Sequence, residues 1–501
     1  MKLLRSSRSP EIRRWLPWLA LVAAILIPRV LLIWRFRSSL IESDEAVIGL
    51  MARHILAGEW SVFYWGQQYL GSVEAVLSAI PLWLFGTSPL ILKLVPLSLF
   101  LGFVYVHHRL AREVLPRGPA FWATAMVGCS PAFLMIWSMK SRGYMPAFLL
   151  GTAALWVAVR ILRDPDRRSL YGWLGLLLGL SWWSQFLAAV YIFPIAVMLL
   201  LLHERRVIRR FPLLLSGFLI GSLPFWVHNL THHWSSLALP GVAPSSWIKD
   251  LATFFGVGLP ILVGARPNWG HQDLFPFASI LLVGIPILSA GVVTRRVWSK
   301  HRANPGPSSG RSAARELVLL FALSFPLVLS SSGFAWFMDE PRYLIPLYSV
   351  LFILIVDATR ILGRSWRRSV PFAAMLWIVF NLVTTFRITP EEFIGYTNTE
   401  DMRPLETFLE KEGVTRAFAS YWVAYRLAFE TGERIIATPV QDDTVRYEPY
   451  WKTVSTASKV AYIRLVGPVY SQITRQIEPP PGFTSTQVGK FVVFLPPGSE
   501  H

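Results

Sequence analysis

The chain has 501 residues, of which 53% are hydrophobic and only 16% charged, where a soluble domain carries about 25% charged residues. With 22 Trp and 32 Phe and a mean hydropathy of +0.45, a water-soluble enzyme of this length could not hide its apolar surface, and the chain reads as a polytopic membrane protein. The formal charge of +18 sits mostly in short segments between apolar runs, where membrane proteins keep Lys and Arg, and this sets nucleic-acid binding aside. The single cysteine, Cys129, excludes a disulfide framework or a Cys-based metal site within the chain.

The chain starts with Lys2, Arg5, Arg8, Arg13 and Arg14, followed by an apolar run over 15–34 with no small-residue cleavage pattern, which reads as an uncleaved signal anchor. Ten more runs follow: 89–106, 120–137, 145–161, 171–183, 187–202, 211–227, 275–293, 317–331, 343–356 and 370–386. The reading is therefore of about eleven transmembrane helices, some near the roughly 17-residue minimum. The run 71–85 is about four turns long, carries Glu74 and is interrupted by Pro81. If it does not span, the segments 1–14, 107–117, 160–168, 205–210, 295–315 and 360–368 fall on one side and hold 26 of the 48 Lys and Arg. The positive-inside bias then places the N-terminus in the cytoplasm and lays 71–85 on the outer surface. A second surface or re-entrant helix is expected over 246–265, and a flexible Pro/Gly/Ser loop over 303–314.

After 386 the composition changes to 12 Lys+Arg against 14 Asp+Glu, with no spanning run. A helix over 402–412, a strand over 416–419, a helix over 421–430 ended by Gly432, strands near 434–437 and 459–465, and a hairpin within 482–495 define a small extracytoplasmic α/β domain. The expected organisation is a transmembrane domain over 1–386 and this domain over 387–501.

The spans are almost free of carboxylates, Asp357 lying near the inner end of its helix. Acids collect instead in the first outer loop as Glu42, Asp44, Glu45, Glu59 and Glu74, with Asp339 and Glu340 beside Arg342 further on. The stretch Ser43-Asp44-Glu45-Ala46-Val47-Ile48 has a bland reading, a surface helix N-capped by Ser43 with two acids favoured by its dipole. Its functional reading is a carboxylate placed to take a proton from an attacking hydroxyl. Trp60, Phe63, Tyr64, Trp65 and Tyr69 form either an aromatic belt or a surface for sugar rings. His228, His232 and His233 stand as interfacial residues or, less simply, as metal ligands.

The order of elements is more specific: first span, Asp-Glu helix, Leu56-Ala57-Gly58-Glu59-Trp60 turn, aromatic stretch, surface helix ending Leu84-Phe85-Gly86, second span. Together with Met145-Pro146 and Arg342-Tyr343-Leu344-Ile345-Pro346, this resembles the GT-C superfamily of membrane glycosyltransferases, above all the protein O-mannosyltransferases and the lipid A aminoarabinose transferases. The likeness covers the membrane region, and the first loop is its one strong motif. It implies an all-α GT-C-like membrane fold and an inverting enzyme moving a sugar from a polyprenyl-phosphate carrier to a lipid, glycan or protein acceptor, in a bacterial inner membrane. Asp44 takes the role of base, with Glu45 supporting it or contacting the acceptor. Two departures stand out. Gly71-Ser72-Val73-Glu74 replaces a Lys-Pro or His-Pro pair, and Arg142-Gly143-Tyr144 replaces an Asp before Met-Pro. Arg142, Lys140 and Arg342 are candidate phosphate ligands in place of a metal, the bland reading being interfacial snorkelling for the first two and a salt bridge to Asp339 or Glu340 for Arg342, and Glu74, Trp65, Tyr69 and Tyr343 are the further substrate contacts. No residue is assigned to a metal, and a divalent cation is left open. The rival reading is a lipid or polysaccharide transporter, or a non-enzymatic envelope assembly factor. A transporter predicts paired broken helices in two related halves or intramembrane charges, whereas the sequence has no repeat and few such charges, chiefly Arg29 and Lys93.

Overall fold

The computed structural model describes residues 10–237, 246–267, 272–304, 306, 308–332, 341–395, 397–440, 443–467 and 477–497; Asp339 and Glu340 lie outside them. The chain is a mostly helical, polytopic membrane protein with a small C-terminal sheet. Seven described helices are long and apolar enough to cross a membrane, or eight if Pro341–Ser349 and Leu351–Leu362, bent by 45°, count as one span.

The expected spans differ from the helices in identifiable ways. The run 120–137 is broken into Arg117–Gly128 and Ala132–Trp137, because Pro131 lacks an N–H and turns the preceding residue away from helical geometry. Arg29 is buried against this break. It donates to the Gly128 carbonyl at 3.3 Å, the Ile25 carbonyl at 2.8 Å and Ser138 Oγ at 2.8 Å, which satisfies polar groups that lipid could not. The run 171–183 lies in Arg168–Ser184, only 17 residues long.

The expected inner loop 205–210 is helical, part of Ala189–Gly221, whose one break is at His203 (φ −143, ψ 31). Glycines explain how the chain turns there. A Cβ on Gly175 would lie 2.0 Å from the Leu214 oxygen and one on Gly179 2.2 Å from that of Phe218, so the two helices touch backbone to backbone. Both contacts step forward along both helices, so the limb after His203 runs parallel to Arg168–Ser184 and the chain has reversed. Helix Ala278–Ala303 runs to the edge of the expected 303–314 loop, and Arg311–Ser330 takes up its last residues. The expected helix over 246–265 is Trp247–Thr253 continued by a π-turn, Phe254–Gly258, and Leu259–Leu262.

The first loop forms helix Ser43–Leu56, strands β1 (Phe63–Tyr64) and β2 (Gln67–Gly71) in an antiparallel pair, and helix Val73–Phe85. At 13 residues, that last helix is about 20 Å long, short of a 30 Å hydrocarbon core. It buries Glu74, Ala75 and Ser78 and exposes Ile80, Trp83, Leu84 and Phe85, the two-faced pattern of a helix lying at a membrane surface.

The C-terminal region carries β3 (Arg416–Ala419), β4 (Ile436–Thr438), β5 (Ala461–Leu465), β6 (Thr484–Val488) and β7 (Phe491–Leu495) in the order β4-β3-β5-β7-β6. β3 pairs in parallel with β4 and β5, and β7 closes antiparallel on β5. Helices Arg403–Lys411, Tyr421–Glu430 and Glu448–Ser455 pack around it; the last was not anticipated. Helix Tyr421–Glu430 also packs on Ser43–Leu56, and one apolar core holds Val47, Ile48, Leu50 and Met51 together with Tyr425, Ala428, Phe429 and Tyr450. The membrane chain and the C-terminal region share this core.

Candidate active site

The first-loop helix does not begin as expected. Its N-cap is Glu42, whose side chain makes no capping bond, and Ser43 Oγ donates instead to the Tyr421 carbonyl at 2.6 Å. The acids are satisfied by a short segment that leads into helix Tyr144–Arg163. Lys140 Nζ lies 3.3 Å from Glu42 and donates to the Ile394 carbonyl at 2.8 Å. Ser141 N–H donates to Glu45 Oε2 at 2.9 Å, and Gly143 N–H to Glu74 Oε2 at 2.5 Å. Arg142 Nε lies 3.1 Å from Glu42, and its Nη2 contacts Asp44 Oδ2. Four consecutive residues thus hold four carboxylates. Gly143 is required for this path: its φ is +78, and a Cβ there would meet Leu70 at 2.9 Å.

Electrostatics separate the acids. Burial pushes the Glu42 carboxyl up, but Arg142 and Lys140 outweigh it and hold its pKa below the ordinary value. Glu74 forms no ion pair among the described residues, and burial pushes it up to about 8 despite the Gly143 N–H and the charge of Lys93. Glu45 is wholly buried and pairs with Lys93 Nζ at 2.5 Å; it does not join Asp44. Glu42 and Asp44 already have cationic side chains between them, so this set does not fit a divalent cation. Among the described residues, no group of three or more His, Cys, Asp or Glu side chains converges on a possible metal position. The His228 and His232 rings stack with their centres 4.1 Å apart.

Asp44 is the acid that reaches open space. Tyr421 OH donates to its Oδ1, and Tyr64 OH lies 3.2 Å from the same atom. Arg446 Nη2 stands 3.9 Å away and its Nε donates to Tyr421 OH at 3.3 Å. Burial raises the Tyr421 phenol above its ordinary pKa, so it remains a donor. A cavity of about 260 Å³ opens on Asp44.

Arg342 is buried on the 3₁₀ turn Pro341–Ser349, 5.1 Å from the centre of the Tyr144 ring and 5.3 Å from that of Tyr343. Arg142 and Arg342 lie 5.7 and 5.6 Å from the centre of one indole ring, Trp137, so the two guanidiniums gather around a single side chain. Trp65 is turned elsewhere, stacked on Tyr447 at 4.0 Å, while Tyr69 is half-buried between the membrane core and the first-loop core.

The sequence reading brought Asp44, Arg142 and Arg342 to notice. It grouped Glu42 with the other acids without a role, and it missed Tyr421 and Arg446. Those two carry no local signal, since what marks them is contact with a loop almost four hundred residues earlier.

No family model and no curated protein matches the chain. Solved structures do. ArnT from Cupriavidus metallidurans in the apo state has a TM-score of 0.63 at 13% identity, over 97% of this chain and 98% of that one. The same protein bound to undecaprenyl phosphate gives 0.59 at 13%, over 96% and 98%. The apo Archaeoglobus fulgidus oligosaccharyltransferase gives 0.54 at 11%, over 91% of this chain and 70% of that one. All are GT-C proteins, and the fold of this chain is the GT-C fold.

Proposed function

We propose that the chain is an inverting glycosyltransferase that takes a sugar from a polyprenyl-phosphate carrier and passes it to an acceptor at the outer face of the membrane. The observation that carries this reading is Asp44, a carboxylate facing a cavity, with Tyr64, Tyr421 and Arg446 on one oxygen and Arg142 on the other. Inversion is a single displacement, which needs a base and an anion clamp within reach of one anomeric carbon. Asp44 is the base. Arg142 and Arg342 are the clamp, a guanidinium being able to grip phosphate oxygens bidentately.

In the free protein Arg142 is engaged by Glu42 and Asp44. Donor phosphate competes for that guanidinium, and the exchange frees a lone pair on Asp44 as the leaving group arrives. Lys140, Glu45 and Glu74 hold the loop that carries Arg142, and Tyr343 packs beside Arg342. The same reading puts the N-terminus in the cytoplasm and residues 387–501 outside a bacterial inner membrane, in line with the basic segments that this arrangement leaves inside. The test is to incubate membranes that carry the protein, and with it its natural acceptor, with a panel of polyprenyl-phosphate sugars and follow released polyprenyl phosphate. Release by the wild type and its loss in Asp44→Asn is the expected result; no release with any donor would sink the proposal.

A further inference from the structure

The cavity on Asp44 has an unusual ownership. Every other residue that borders it comes from the C-terminal region, from the 420–422 and 443–446 segments. At about 260 Å³ it is smaller than the ~300–1,000 Å³ of sites for drug-sized molecules, so it suits one compact unit rather than a lipid chain.

Its charge selects what that unit can be. Two carboxylates border it, Asp44 and Asp443, against one guanidinium, Arg446. That guanidinium is already committed. It donates to Tyr421 OH at 3.3 Å and stands 3.9 Å from Asp44, and Gln67, with its amide oxygen turned inward, accepts from both terminal nitrogens at 2.9 and 3.1 Å. Asp443 accepts from the backbone N–H of Thr444 at 2.6 Å and of Tyr421 at 3.2 Å, which keeps an acceptor oxygen at the wall. Among the described residues that border the cavity, an anionic group meets two carboxylates and one guanidinium that three neighbours already engage. A neutral group with several hydroxyls meets acceptors for each of them.

Ser420 supplies the second observation. It is only 3% exposed, it borders the cavity, and its Oγ has no hydrogen-bond partner among the described residues. Such an orphan costs free energy unless something in the cavity pairs with it. Trp422 borders the same cavity, and an indole offers the kind of surface on which the C–H face of a pyranose rests.

We propose that this cavity is the acceptor subsite and that it takes a neutral saccharide unit, not a phosphate-bearing group, with one hydroxyl directed at Asp44. The inference rests on the glycosyltransferase reading. The acceptor hydroxyl oxygen attacks the anomeric carbon of the donor and its proton passes to Asp44. The bond from that carbon to the phosphate oxygen breaks, and the electron pair leaves with polyprenyl phosphate.

The experiment uses the full-length protein in detergent, a set of methyl glycosides as neutral probes and octyl phosphate as the anionic probe. Binding is read by saturation-transfer NMR without donor, and polyprenyl phosphate release is read separately with the donor panel in membranes that hold the natural acceptor. At least one methyl glycoside is expected to bind the wild type, while octyl phosphate, which the Arg142 and Arg342 clamp would hold, should bind Thr444→Trp as it binds the wild type. Thr444→Trp, which blocks the cavity from an exposed position, should weaken glycoside binding by about tenfold or more. Ser420→Ala, which removes only one hydroxyl, should weaken it by about fivefold. Wild-type affinity in both variants, absence of glycoside binding to the wild type, or loss of octyl phosphate binding in Thr444→Trp overturns the inference. Polyprenyl phosphate release without glycoside binding would remove the acceptor subsite and leave the transferase. Glycoside binding without release from any donor would remove the transferase reading, and the acceptor role with it.

Discussion

Arg142 has two partners in the free protein, and the proposed mechanism asks it to exchange them for a third. This gives the residue-scale predictions. Asp44→Asn keeps the shape of the side chain but loses the base, and transfer should fall by roughly 10²–10⁴-fold in a protein that still elutes as a single species. Arg142→Ala should weaken donor binding more than Arg266→Ala, because Arg266 serves only its own segment, pairing with Asp273 at 2.9 Å and the Gly256 carbonyl at 2.9 Å. Arg142→Lys should recover only part of the loss, since a point charge lacks the bidentate grip. Donor affinity measured across these three variants decides it, and an unchanged Arg142→Ala would take Arg142 out of the site. At this scale the sequence was informative where charge is scarce. A carboxylate and a guanidinium in short loops between apolar runs are conspicuous. Tyr421 and Arg446 are ordinary residues of a polar region, and only the fold brings them to Asp44.

At the scale of elements, the apolar runs located the membrane helices, but hydropathy does not see what happens inside a run. Pro131 divides one, and the reversal at His203 leaves no loop because both limbs stay hydrogen-bonded almost to the turn. The buried pair between the first-loop helix and the helix Pro89–Val114 was likewise out of reach, as Glu45 and Lys93 were seen separately, one as a loop acid and one as a charge in a span. Breaking such a pair costs about 3–5 kcal/mol, while replacing both partners is far milder. Lys93→Met alone should therefore lower the thermal midpoint sharply, and Glu45→Gln with Lys93→Met should restore much of it.

The other end of the first-loop helix is sensitive to pH. His54 bonds to Glu433 at 3.0 Å and to Glu59 at 2.8 Å. Burial works against its charge, yet the two carboxylates outweigh it and raise its pKa above 6.5. Burial also works against the charge of Glu433, but His54, Tyr450 and Arg53 bring its pKa down to about 2. The raised histidine contributes stability that is complete below 6.5 and lost as pH rises through its folded value. The depressed carboxylate contributes stability that is present above 4.5 and lost toward pH 2. The seam should hold best between these limits. The thermal midpoint of the wild type should fall from pH 6 to pH 9 more than that of His54→Gln; parallel curves would show that this histidine does not matter.

For the molecule as a whole, composition was enough to assign a polytopic membrane protein with a small α/β region after the last span. It could not show that the two share a core, because the surfaces that meet at Gly49 and Phe429 are each unremarkable alone. A Cβ on Gly49 would lie 2.3 Å from the Phe429 ring, so the helices approach as closely as glycine permits. A chain ending at residue 386 should insert in the membrane and give no transfer, since Asp44 would lose Tyr421 and Arg446; turnover by that chain would show that the C-terminal region is dispensable. A reporter fused after Phe386 should be active only outside the cytoplasm, and cytoplasmic activity would reverse the proposed orientation.

The contact between Tyr421 and Asp44 joins residues 377 positions apart, and this has a consequence in time. A ribosome adding roughly 5–20 residues per second makes Tyr421 some 20–75 s after Asp44. Throughout that interval the face of the first-loop helix around Gly49, on which Phe429 will seat, is uncovered, and its carboxylate is without the phenol. Nascent chains therefore pass through a long stage in which an apolar face needs shelter, from lipid or from a chaperone, and chains released early are left in that state permanently.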